Sequence, residues 1–342
     1  MDAVFAVPPP RNEPVRGYAP GSPEREALSR RLAELAATPL DLTMTIGGEQ
    51  RPGGGRPIDV VQPHRRHHVL GTTHNASNAD ATAAVTAALD AAPAWRALPF
   101  HDRAAIFLRA ADLLSGPWRD TLNAATMLGQ SKSVVQAEID SACELIDFLR
   151  YNVYFASKLY AEQPLSAPGT WNRMDHRPLE GFVYAITPFN FTAIAANLPT
   201  APALMGCTVV WKPSPTQQFA AHFTMRLLEA AGLPPGVINM VTGDGLDVSR
   251  VALYNEHLAG IHFTGSAATF QTLWRTVGEN IARYRNVPRV VGETGGKDFI
   301  IAHPSAEPDA LLTALVRGAF EYQGQKCSAA SRAYLPRSLW TS

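Results

Sequence analysis

Five short runs decide the fold: FVYAIT (Phe182–Thr187), TVVWK (Thr208–Lys212), VINMVT (Val237–Thr242), GIHFTG (Gly260–Gly265) and RVVGET (Arg289–Thr294). Each is apolar and β-rich. Helical runs separate them: one from Ala193, then QQFAAHFTMRLLEAA (217–231), DVSRVALYN (247–255) and 268–285, with DFIIAH (298–303) closing the series. Such alternation builds βαβ units, a parallel sheet covered on both faces, and right-handed crossovers. Ligands of these sheets collect beyond the carboxyl ends of the strands. There the chain places Thr187-Pro-Phe-Asn190, Lys212-Pro-Ser, Thr242-Gly-Asp-Gly, Thr264-Gly-Ser266 and Glu293-Thr-Gly-Gly296. The glycines are what turns prefer. Lys212, Asn190 and Glu293 need another reason.

Upstream, residues 1–23 read as an extended arm, and Ser22-Pro23-Glu24 opens a helix. Residues 40–75 read as short strands and turns around Gly53-Gly54-Gly55. Helices follow from Asn78, over His101–Leu114 and over 118–129. The apolar spacing of 130–160 predicts one long helix. Residues 161–181, with prolines and a glycine, read as a connection or extended hairpin.

With 342 residues, 46% apolar, the chain is large enough for roughly two domains. Its 30 basic and 30 acidic residues cancel, so nothing points to nucleic acid or an anionic membrane. No apolar run is long enough for a membrane span. Cys143, Cys207 and Cys327 are too scattered for a disulfide framework or a metal site, which implies a reducing compartment. The first residues lack the pattern of a signal or transit peptide, so a cytoplasmic location is expected.

Cys327 stands in EYQGQKCSAA (321–330), among glycine, small polar residues and Lys326. A neighbouring cation favours the reactive thiolate. Asn190 lies between two phenylalanines, where its amide can donate to an oxyanion. A carboxylate at a buried strand end, as expected for Glu293, has a raised pKa and suits general-base work. The turns at Gly243–Gly245 and Gly265–Ser266 present helix N-termini to phosphate, and Lys212 can reach a ribose or a phosphate. No G-x-G-x-x-G follows the first strand. Thiol, amide, carboxylate and phosphate sites together fit oxidation of an aldehyde through a thioester, with hydride passing to a nicotinamide.

PFNF, WKPS, FTGS, ETGGK and GQKCS stand in the order and spacing of the aldehyde dehydrogenase superfamily, with 34 positions from Glu293 to Cys327. DRAAIFLRAADLLSGP, VVQAEIDSACELIDFLR, LEGFVYAITPFNFTAIAANLPTAPALMG and AFEYQGQKCSAASRAYLPRSLW further resemble the L-glutamate γ-semialdehyde (1-pyrroline-5-carboxylate) dehydrogenase branch. The resemblance implies an aldehyde dehydrogenase-like α/β fold, with a Rossmann-like parallel sheet for NAD and an incomplete catalytic domain. It divides the chain into an arm and helix (1–40), a helical and strand part of the NAD-binding domain (41–160), an oligomerisation hairpin or linker (161–181), the NAD-binding core (182–296) and the start of the catalytic domain (297–342). By resemblance Cys327 is the nucleophile, Glu293 the general base and Asn190 the oxyanion donor. Thr187, Lys212, Gly265, Ser266, Ala267, Ala268 and Thr269 face the cofactor. Ser328, Phe191 and Glu138 are implied as substrate contacts: a carboxylate contact, an aromatic tunnel wall and an acid at the tunnel mouth. The implied reaction oxidises glutamate semialdehyde to glutamate in proline breakdown. A homo-oligomer is implied at full length, with a proline dehydrogenase as a partner.

Two departures stand out. Many NAD-using relatives carry an acid three residues after the lysine, where this chain has Pro215, so NADP stays open beside NAD. Relatives also continue well past the nucleophile, whereas Ser342 lies fifteen residues after Cys327, and a C-terminally truncated catalytic domain is the expectation. A nucleotide-binding remnant without activity, and a dehydrogenase of another semialdehyde, are the competing readings.

Overall fold

The structure, a computed structural model, describes residues 6–340. The expectations for residues 1–5 of the arm and for 341–342 lie outside the described residues. The arm leads to α1 (Pro23–Ala37), which Ser22 caps: its Oγ accepts the Arg25 N–H, with Glu24 and Glu26 near the positive end of the helix. Short strands follow: β1 (Leu40–Asp41), β2 (Met44–Ile46), β3 (Glu49–Arg51), β4 (Pro57–Gln62) and β5 (Arg65–His74). Of these, β1, β5 and β4 make a small sheet. Next come α2 (Asn78–Ala97), α3 (Phe100–Ser115) and α4 (Arg119–Gln130). A capping box opens α2: Ser77 Oγ accepts the Asp80 N–H, and the Asp80 carboxylate accepts the Ser77 N–H.

The single helix expected over 130–160 is interrupted. α5 (Val134–Ala137) gives way to a π-helical turn, Glu138–Cys143, before α6 (Glu144–Ala161). The widened turn shifts the register of the inward face. Glu138 and Asp140 are both buried there, one against Arg119 and the other against Lys132. A regular helix would turn residues two apart to different faces. Residues 162–181 contain no strand within this chain and turn at Ala167–Thr170, where the Thr170 N–H donates to the Ala167 carbonyl.

The central sheet contains β6 (Phe182–Thr187), β7 (Thr208–Pro213), β8 (Ile238–Met240), β9 (Leu258–Thr264) and β10 (Arg289–Glu293), with β2 and β3 at one edge. Its helices are α7 (Thr192–Leu204), α8 (Gln218–Ala230), α9 (Gly245–Leu253) and α10 (Ala267–Glu279). The order is β10-β9-β6-β7-β8-β2-β3, parallel from β10 to β8 and antiparallel beyond. From β6 the chain builds outward through β7 and β8, then returns to the other side of β6 as β9. The β6/β9 junction is therefore the switch point where clefts form. Register aligns the strand ends there: Thr187 pairs with Pro213, Ile186 with Phe263 and Glu293 with Thr264. Phe182, Tyr184, Trp211 and Phe263 are buried in and around the sheet. Burying a large apolar side chain of this kind contributes about 1.5–3 kcal/mol.

DFIIAH does not continue the alternation. Its strand β11 (Phe299–Ile301) leaves the sheet and pairs in parallel with β12 (Arg332–Tyr334), with α11 (Pro308–Phe320) between them and α12 (Arg337–Trp340) after. In this unit Phe299, Ile301, Leu312, Val316 and Phe320 are exposed.

Candidate active site

A cleft of about 550 Å³ opens at the switch point. Thr187, Asn190, Lys212, Gly265, Ser266, Thr269 and Cys327 line it, together with Ser214, Pro215, Thr294, Gly295 and Lys326. The strand ends supply one side and the Cys327 loop the other.

Thr187 ends β6, and Trp211 Nε1 donates to its Oγ1 at 3.0 Å, which sets its rotamer. Ser266 caps α10 by accepting the Thr269 N–H at 3.1 Å. Ala267 and Ala268 form the first turn behind it, outside the cleft lining, and offer only backbone to a ligand. Lys212 is buried, and burial pulls its pKa down to about 8 against the opposing charge of Asp244.

Asn190 does not point its amide freely into the cleft. Its Nδ2 donates to the Gln325 carbonyl at 2.8 Å and so ties the loop after β6 to the Cys327 loop. Gly296, beyond the end of β10, packs on the same loop: a Cβ there would lie 1.8 Å from the Cys327 carbonyl oxygen. Backbone at Gly296 can approach the Cys327 backbone only because it carries no side chain. Cys327 itself is half-buried and a free thiol.

Four expectations change. Glu293 is exposed at the end of β10, not buried, because β10 is the edge strand of the sheet. The Lys326 ammonium is engaged by Asp140 at 3.4 Å and Glu321 at 3.6 Å, so its charge is shared with carboxylates. Phe191 and Ser328 lie outside the cleft lining, Phe191 buried and Ser328 exposed.

Glu138, expected as a substrate contact, also lies outside the cleft lining. It is fully buried and accepts from Arg119, Asn123, Tyr18 Oη and the Arg16 N–H. Those donors hold its carboxyl down at about 2 despite burial. It locks the N-terminal arm onto the helices.

A second acid, Glu144, stands just past the π-helical turn and interacts electrostatically with Lys326 of the cleft lining. Burial, then the neighbouring charge of Asp140, raises it to about 7, opposed by Lys132 and Lys326. Its Oε2 is buried without a hydrogen-bond partner. Sequence reading missed Lys132, Asp140 and Glu144. The recurrence of charges at 132, 140 and 144, multiples of four apart in a stretch of helical apolar spacing, is the signal that marks them.

Comparison with known proteins agrees with this geometry. The model of the aldehyde dehydrogenase family matches residues 50–342. The chain belongs to the aldehyde dehydrogenase family. A delta-1-pyrroline-5-carboxylate dehydrogenase of Agaricus bisporus is 48% identical over 99% of this chain and 62% of its own length. The mitochondrial delta-1-pyrroline-5-carboxylate dehydrogenase of Bos taurus is 49% identical over 96% of this chain and 58% of its own. The crystal structure of the delta-pyrroline-5-carboxylate dehydrogenase from Mycobacterium tuberculosis bound with NAD superposes with a TM-score of 0.98 at 67% identity, over 100% of this chain and 64% of that one. This aldehyde dehydrogenase chain thus spans about 60% of the length of the curated relatives it matches.

Proposed function

We propose that the chain carries the nucleotide cleft and the nucleophilic thiol of an NAD-dependent oxidation of L-glutamate γ-semialdehyde to L-glutamate. The observation that carries this reading is one cleft holding the Lys212 ammonium and the capped α10 N-terminus at one end and Asn190 with Cys327 at the other. The donor set suits a dinucleotide. The α10 N–H groups and dipole suit a pyrophosphate, and the Lys212 ammonium suits ribose hydroxyls. When bound, NAD supplies the hydride acceptor. Pro215 carries no charge toward a 2′-phosphate, so the preference for NAD over NADP rests on the relatives.

Cys327 Sγ attacks the aldehyde carbon, and the new C–S bond leaves the charge on oxygen. An amide nitrogen has two protons. Asn190 gives one to the Gln325 carbonyl, which leaves the other for the oxyanion. Loss of hydride makes a thioester on Cys327. Glu293, exposed and thus open to water, takes a proton from the water that cleaves it and releases the acid and the thiol. Cys143, Cys207 and Cys327 are all free, which suits a reducing compartment. A proline dehydrogenase, which would supply the semialdehyde, is the partner this reading names. In the test, the full protein is given the semialdehyde and NAD and NADH is followed; binding of both without turnover would favour the nucleotide-binding remnant.

A further inference from the structure

Lys132 lies outside the cleft lining, yet its side chain is completely enclosed. Its Nζ sits 4.3 Å from the Phe191 ring centroid, 4.6 Å from that of Tyr322 and 2.5 Å from Asp140 Oδ2. Phe191 adjoins Asn190. Tyr322 belongs to the Cys327 loop, and Asp140 also holds Lys326, the neighbour of Cys327. One cation therefore joins the loop after β6, the Cys327 loop and the π-helical turn. The Cys327 loop needs such a clamp. Tyr322, Gln323 and Gly324 are successive left-handed residues with φ of 50°, 55° and 67°. For tyrosine and glutamine that backbone is strained and persists only where its surroundings fix it. Tyr322 Oη donates to the Gln130 carbonyl at 2.7 Å, two residues before Lys132.

We infer that Lys132 is a positioning residue for the thiol chemistry: its cation, held by Asp140 between the Phe191 and Tyr322 rings, fixes the Asn190 loop and the Cys327 loop against each other. The inference rests on the roles proposed above for Asn190 and Cys327. A cation over two desolvated rings is attracted by both. A methionine in its place would still fill the space between the rings. It would also leave Asp140 to Lys326 alone, with Glu144 and Glu321 the other acids facing that cluster. The Cys327 loop would then follow Lys326 toward the π-helical turn.

The experiment compares the full wild-type protein with Lys132→Met and Tyr322→Phe. It reads the rate of iodoacetamide alkylation at Cys327 by peptide mass spectrometry, kcat with the semialdehyde, and NAD affinity by calorimetry. Lys132→Met is expected to slow alkylation and kcat together by about tenfold or more, with NAD affinity within about twofold because Lys212 and Ser266 are untouched. Tyr322→Phe should shift the same two quantities in the same direction. Alkylation and kcat at wild-type values in a folded Lys132→Met would overturn the inference, as would NAD affinity falling in step with kcat. If Lys132→Met does not fold, unchanged alkylation in Tyr322→Phe overturns it. Should the wild type alkylate at Cys327 but not reduce NAD, the dehydrogenase reading fails, while the alkylation ratios still decide the role of Lys132.

Discussion

Asn190 has one amide proton committed to the Gln325 carbonyl and one left over. On the proposed mechanism Asn190→Ala therefore removes both an oxyanion donor and a tie on the Cys327 loop. Loss of one such donor typically lowers kcat about 100-fold or more, and steady-state kinetics with KM for NAD unchanged would check it. Lys212 has its pKa lowered to about 8, so its ammonium is present below that pH and lost above it. NAD affinity measured by calorimetry should fall as pH rises through about 8, and Lys212→Met should flatten that dependence while weakening binding overall. Lys212, Asn190 and Cys327 were legible in the sequence because each interrupts a run of different character. The surroundings of Glu138 and Glu144 are not legible there, for a shared reason. A periodic pattern shows which residues share a helix face, but not the π-helical turn that resets that face between Glu138 and Glu144.

That turn and the arm beside it belong together. Glu13 pairs with Arg119 and Arg150, Asp147 accepts from Asn12 and the Glu13 N–H, and Glu138 closes the set on Arg119. Breaking a buried pair by removing one partner costs about 3–5 kcal/mol. Glu138→Gln should lose about that much stability at pH 7, measured by urea unfolding. The carboxyl is held at about 2, below its unfolded range, so its contribution exists above about pH 4.5 and is lost as pH falls toward 2. The gap between Glu138→Gln and wild type should close over that interval. Glu144 has the opposite sign. Raised to about 7, it favours the fold while protonated, fully below about pH 4.5, and that contribution is lost as pH rises through about 7. Glu144→Gln, which stays neutral, should show a flatter stability profile between those limits. The arm's proline-rich sequence predicts extended chain, and nothing in it shows that it docks through Glu13 and Tyr18, because both partners lie more than a hundred residues away.

At the scale of the molecule, alternation of strands and helices carried the sheet, and its five parallel strands follow from it. The strand order does not, since periodicity holds no record of which neighbour a strand chooses. The departure of β11 is likewise set by β12, whose Arg332 pairs with Phe299 thirty-three residues earlier, at a distance local pattern cannot reach. What the fold accomplishes is to bring Lys212, the α10 N-terminus, Asn190 and Cys327, drawn from residues 190 to 327, to one switch point. The direct test is NADH formation by the full protein with L-glutamate γ-semialdehyde, followed by absorbance for wild type and Cys327→Ala, with NAD binding measured in parallel by calorimetry. The account predicts turnover in the wild type, none in Cys327→Ala, and equal NAD affinity in both. NADH formation by Cys327→Ala at the wild-type rate would contradict it.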